Sequence, residues 1–307
     1  MSENVRSYIA LIFAMFLWGA SWVSVKILVS IAPIMTIGFF RYSIAGLLFL
    51  ILLKYQGKSP RAILAPGTNL NLLLAGLTGV FGFMVFSLIG TQFTTASQAS
   101  IIAGLNPITV GVFAYFIHQE RSGKRWQYSG FIVAFIGIIF VIGVQALIDF
   151  NPDYLIGNSI IVLSMICWGI YSSVGKSLMG RLSPVEVTAG SVFVGWTIFA
   201  IGAALESNSA IDALLLPEFW INVGFLGGLS AFLGFVFYFQ GIQRVGATRA
   251  GVFISLVPVF GTITAVLILD EPIYWTFLVG LTLVVSGILI LNAPVDEEEE
   301  ESEKFSK

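Results

Sequence analysis

The chain has 307 residues, 57% of them hydrophobic and 10% charged, with a mean hydropathy of +0.94. A water-soluble domain of that length needs a far more polar surface, so lipid is the solvent for most of this chain. The formal net charge is −2, with a large share of the acidic residues in the run 296–307, and the rest has no polybasic block or basic–aromatic interleaving, which excludes nucleic acid as a partner.

Arg6 is followed by a long apolar run that contains Trp18 and reaches Lys26 with no small-residue cleavage pattern. It reads as a retained first helix rather than a signal peptide. Apolar runs of roughly 20 residues, the length needed to cross the hydrocarbon core, then recur to the end of the chain. They predict spans at 7–28, 34–54, 70–91, 95–118, 126–147, 157–178, 185–205, 219–243, 248–269 and 275–292. The breaks carry turn chemistry: Ala32-Pro33, Pro60 and Pro66, Asn151-Pro152, Ser183-Pro184, Pro217, and Asp270-Glu271-Pro272.

Charge in the connections supports this count. Alternate connections hold Arg6, then Lys54, Lys58 and Arg61, then Arg121, Lys124 and Arg125, then Lys176 and Arg181, then Arg244 and Arg249. The other set has no Lys or Arg in its loops and contains Asp149, Asp153, Glu206, Asp212, Glu218, Asp270 and Glu271. The positive-inside rule makes the first set cytoplasmic, so the expectation is a multi-pass cell-membrane protein with both termini in the cytoplasm.

The chain also repeats itself at an offset of about 150 residues. Trp18-Gly19 and Lys26 return as Trp168-Gly169 and Lys176, and Pro33 returns as Pro184. Gly90 and Gln92 return as Gly241 and Gln243; Ala96 to Pro107 matches Ala247 to Pro258; Glu120 matches Glu271. Each half has five spans, an odd number, so the second half enters the membrane from the opposite side. The expected fold class is therefore an all-α integral membrane protein of ten transmembrane helices in two inverted five-helix repeats, residues 7–147 and 157–292. An acidic, disordered cytoplasmic tail follows at 293–307. Inverted repeats create two near-equivalent packings that expose a central site to one face or the other, which is the basis of alternating access.

These residues resemble the drug/metabolite transporter superfamily, of the EamA type, over nearly the full chain. The resemblance is carried by the tryptophan-glycine of each first helix, Arg41-Tyr42 with Ala45, the Pro107 and Pro258 helices, and Leu269-Asp270-Glu271-Pro272. The first half departs from the last pattern, with His118-Gln119-Glu120-Arg121 and no proline. The resemblance implies a central cavity between the halves and export of small metabolites such as amino acids.

Within the spans, ionisable side chains are costly and draw attention first. Lys26 and Lys176 lie near helix ends, where snorkelling accounts for them, although both halves have one. Arg41 is about two turns into its helix, as suited to bonding a neighbouring helix's carbonyls as to contacting substrate. Arg249 begins the ninth span as an anchor or a vestibule charge. The amides of Gln92, Gln98 and Asn106 need partners across a helix contact or a wet cavity. Pro107 and Pro258 are expected to kink the fourth and ninth helices, freeing the carbonyls of Ala103 and Ile254 toward a cavity. Trp18, Trp168, Tyr171 and Tyr238 are candidate aromatic walls, with packing or lipid-facing roles as the plain alternative. No Asp or Glu falls in mid-span.

This set suits a zwitterionic or neutral small molecule such as an amino acid, its carboxylate on an arginine. The expected partners are a small-molecule substrate and the lipid bilayer. No cofactor or metal is expected, since the chain has one cysteine (Cys167) and one histidine (His118). A membrane enzyme and a receptor or scaffold are the rival readings. Neither a nucleophile elbow, a P-loop nor an aspartate cluster is present for the first, and almost no extramembrane domain for the second.

Overall fold

The computed structural model describes residues 3–58, 68–119, 128–140, 152–245, 250 and 253–291. Predicted features at Glu120, Arg249, Pro60, Pro66, the end of the fifth span and the acidic tail 293–307 lie outside the described residues.

All described secondary structure is helical. The first half contains α1 (Glu3–Ile31), α2 (Ile34–Tyr55), α3 (Asn69–Phe93), α4 (Ala96–Ala103), α5 (Asn106–His118) and α6 (Tyr128–Ile139). The second contains α7 (Pro152–Leu178), α8 (Pro184–Leu205), a short α9 (Ser207–Leu214), α10 (Pro217–Val245), α11 (Leu256–Leu269) and α12 (Trp275–Leu291). Seven of the described helical segments are long and apolar enough to cross a membrane, and the chain is a multi-pass membrane protein. Each span expected from the sequence has a helix within it. α9 was not expected; it buries Ala210 and Ala213 and lies in the connection between the second and third spans of the second half.

The fourth span is two helices. Gly104 N and Leu105 N donate to the carbonyls of Ile101 and Ile102, a tight turn that ends α4, and Pro107 sits in the first turn of α5, where its missing N–H costs nothing. In the second half the matching turn is at Ile254 and Ser255. There the expectation of a free carbonyl fails at Ile254, whose oxygen accepts from Val257 N at 3.0 Å. The third span of each half contains a π-helical stretch, Gly76–Gly82 and Phe225–Leu233. The wider ladder leaves carbonyls to side chains: Val80 O accepts from the Tyr42 hydroxyl at 3.3 Å, and Ser230 O from Trp18 Nε1 at 3.2 Å.

The halves interlock. α1 packs along α11 and α10 of the other half, α7 along α3 and α5, and α2 along α8. The repeated glycines explain two of these approaches, α1 on α11 and α7 on α5. A Cβ on Gly19 would stand 2.7 Å from Gly261 N, and one on Gly169 would stand 2.8 Å from the Thr109 carbonyl. Each first helix thus presses its Trp-Gly against the broken fourth span of the opposite half. α6 and α12 pack chiefly on one another, to the side of the cavity described next.

Candidate functional site

Hydrogen bonds between helix ends define two faces of the bundle. At the face bearing Lys58 and Arg181, the Lys58 ammonium bonds the Ser183 hydroxyl and lies 3.4 Å from Glu186, joining α2 to α8. Ser183 and Glu186 form a capping box there. At the opposite, acidic face, Glu206 accepts from Thr36 N at 2.9 Å and so caps α2 from the end of α8.

A cavity of about 730 Å³ runs from the bundle's middle toward the basic face, its upper wall reaching Met179, Pro184 and Ile242. Both halves line it. Among the expected site residues, Trp18, Arg41, Asn106, Pro107, Trp168, Tyr171 and Tyr238 all contribute to its wall. The rings touch in series. Trp18 lies 5.1 Å from Tyr238 and 5.3 Å from Phe235; Phe235 is 6.0 Å from Trp168, which is 5.2 Å from Tyr171, all between ring centroids. Phe235 therefore bridges the two repeated tryptophans. It was missed from sequence, although pairing Gly90 with Gly241 sets it opposite Met84, another wall residue.

Arg41 is 9% exposed. Its Nη1 donates to the Met84 sulfur at 3.0 Å and its guanidinium carbon lies 5.4 Å from the Tyr42 ring centre. Its Nε has no protein partner, and the same holds for the buried Ser87 Oγ, Ser173 Oγ and Asn106 Oδ1, all on residues of this wall. Small hydroxyl residues within apolar spans carry no sequence signal, so Ser87 and Ser173 were legible only once the helices had packed. Ala103 and Ile254, before the two prolines, line the cavity; Pro258 does not, and packs its ring over Gly104.

Three expected residues are elsewhere. Gln92 is exposed near the end of α3, away from the cavity. Gln98 is fully buried at the acidic face, where its Oε1 accepts from Asn158 Nδ2, so a helix contact takes up that oxygen. Arg249 is outside the described residues.

Beyond the cavity floor, the acidic face is shut by a polar seal. Lys26 Nζ donates to Thr91 O at 2.9 Å and Thr94 O at 2.6 Å, capping the end of α3 rather than snorkelling. Glu271 accepts from Ala96 N at 2.7 Å and Ser97 N at 2.9 Å, a carboxylate on the N-terminus of α4. Thr94 also donates to Asn158 Oδ1 at 2.6 Å, tying α7 into the seal. Among the described residues the cavity thus extends toward the basic face and is closed at the acidic one. Among the described residues no His/Cys/Asp/Glu cluster could hold a metal ion.

The chain is 26% identical to the uncharacterized transporter YetK of Bacillus subtilis, over 94% of this chain and 88% of that protein. It is 24% identical to the uncharacterized transporter YyaM of the same organism, over 95% of each chain, and 23% identical to an uncharacterized transporter of Archaeoglobus fulgidus, over 94% and 98%. A crystal structure superposes with a TM-score of 0.67 over 94% of this chain and 98% of that one, at 18% identity, a likeness of fold. The pattern of the EamA-like transporter family matches twice, at residues 5–143 and 155–293. With that pattern filling both halves, the chain belongs to the EamA-like transporter family and is a transporter, not an enzyme.

Proposed function

We propose that the chain is a secondary transporter that exports a small organic metabolite bearing a carboxylate, an amino acid among the candidates, by alternating access. The observation that carries this reading is a cavity walled by both halves that, among the described residues, is closed at the acidic face and extends toward the basic one. Its volume is within the few hundred to about 1,000 Å³ of small-molecule sites. The positive-inside rule makes the basic face cytoplasmic, so this state loads from the cytoplasm. The repeats 7–147 and 157–292 are the two units that exchange roles between the inward and outward states. Trp18, Arg41, Asn106, Trp168, Tyr171 and Tyr238 are the proposed substrate contacts.

Counterflow in proteoliposomes tests the reading. Vesicles loaded with amino acids and organic acids should exchange a labelled partner saturably, and Gly111→Trp, which plugs the wall of α5, should abolish exchange without changing expression. Exchange that survives the plug would move the path out of this cavity.

A further inference from the structure

The cavity is one-sided in charge. Among the described residues that line it, the side chains of fixed charge are Arg41 and Lys176, and neither Asp nor Glu is among them. Arg41 is the informative one because it is nine-tenths buried. Its partners, the Met84 sulfur and the Tyr42 ring, are neutral, and no carboxylate of the described residues comes within ion-pair distance of it. A guanidinium taken out of water needs a counter-charge, and its planar fork matches a carboxylate. On residues of the same wall the Ser87 and Ser173 hydroxyls are also without a protein partner and can donate to an anion, while Asn106 Oδ1 is an acceptor only. Beside them the series Trp18, Tyr238, Phe235, Trp168 offers ring faces and edges to a flat apolar body.

We infer that the site selects an organic monocarboxylate with an aromatic or similarly flat body, and ranks it above the amino acid of the same skeleton. The inference rests on the transport reading for its context and narrows its substrate. An α-ammonium shares its carbon with the carboxylate, so docking the carboxylate on Arg41 holds the ammonium in a cavity whose fixed charges, among the described lining residues, are both positive. No described carboxylate of the wall is available to offset it. Asn106 Oδ1 offers it a neutral acceptor against two cations, so the amine is dispensable and disfavoured.

The test uses three probes with one ring and closely matched chains: 3-phenylpropionate, phenylalanine and 2-phenylethylamine. Trp18, Trp22 and Trp168 line the cavity, so binding to the detergent-purified full chain is read by tryptophan fluorescence. The expected result is saturable binding of 3-phenylpropionate with a Kd about tenfold below that of phenylalanine, and no binding of the amine. Arg41→Gln should weaken the carboxylate about tenfold or more, with partial recovery in Arg41→Lys. The probe series on the unaltered protein decides the question even if those variants fold poorly. Equal or tighter binding of phenylalanine or the amine, or no saturable binding by any probe, overturns the inference. Competition by the same probes in counterflow separates the two readings. Binding in the expected order without exchange removes transport and leaves the selectivity standing, whereas exchange competed best by the amine removes the selectivity and leaves transport.

Discussion

The Trp-Gly repeat acts at two levels at once. Its tryptophans join one aromatic wall through Phe235, while its glycines set how closely the first helix of each half approaches the broken span of the other. Alanine is the better helix former by about 1 kcal/mol, so on propensity alone Gly19→Ala and Gly169→Ala would stabilise. Here the added Cβ meets backbone atoms at 2.7–2.8 Å, and backbone cannot rotate away. Overpacking of this kind costs about 1–3 kcal/mol. Both variants should melt at lower temperature in detergent, whereas Gly180→Ala, with nothing within 4 Å of the new Cβ, should not. Equal melting of all three would show that the helices can slide apart without cost. Several residues whose chemistry is unusual for a membrane span are gathered by packing at the cavity. A buried arginine, a proline-linked asparagine and repeated tryptophans all line the cavity. Gln92 and Gln98 lie outside that cavity: Gln92 is exposed, and for a buried amide such as Gln98 sequence does not say whether its partner is a cavity or another helix. Arg41 also breaks the repeat. Aligning Pro33 with Pro184 puts Val192 at its counterpart, so the positive charge belongs to one half alone.

At the scale of elements, the acidic face is held shut by helix ends. Glu271 spans from the end of α11 to two N–H groups of α4, and Lys26 spans from α1 to two carbonyls of α3. Capping interactions contribute about 0.5–2 kcal/mol, comparable to the gap between conformers of a two-state device. Glu271→Ala should therefore shift the population toward a state open at that face, by roughly 5–30-fold for 1–2 kcal/mol. The measurement is the rate at which an impermeant maleimide labels Ser97→Cys, 1% exposed in the closed seal, with Cys167 replaced by serine. A rate unchanged by Glu271→Ala would take the carboxylate out of the seal. The turns at Gly104–Leu105 and Ile254–Ser255 each precede a proline that sits in the first turn of the next helix, where its missing N–H costs nothing. The π-helical stretches were not legible in the sequence. Their glycines suggest close packing, and the choice of a wider ladder depends on which side chains arrive to use the carbonyls.

For the whole molecule, orientation in the membrane is the quantity that converts an open face into a direction of loading. Cysteines introduced near Asp153 and Asp212 should react with impermeant thiol reagents applied to intact cells, and one near Lys58 should not. Labelling near Lys58 from outside would invert the assignment and make the open state outward-facing. Length, composition, hydropathy and the internal repeat determined by themselves that this is an all-helical membrane protein with duplicated halves, because the bilayer demands about 20 apolar residues per crossing and internally satisfied backbone. The tertiary structure alone decided which amides and hydroxyls face a cavity, that Glu271 and Lys26 close one end, and that Arg41 is buried beside neutral partners. The reason is physical. Partition into lipid is a property each segment carries in its own composition, whereas a polar group's partner is supplied by helices distant in sequence, and only their packing brings it within reach.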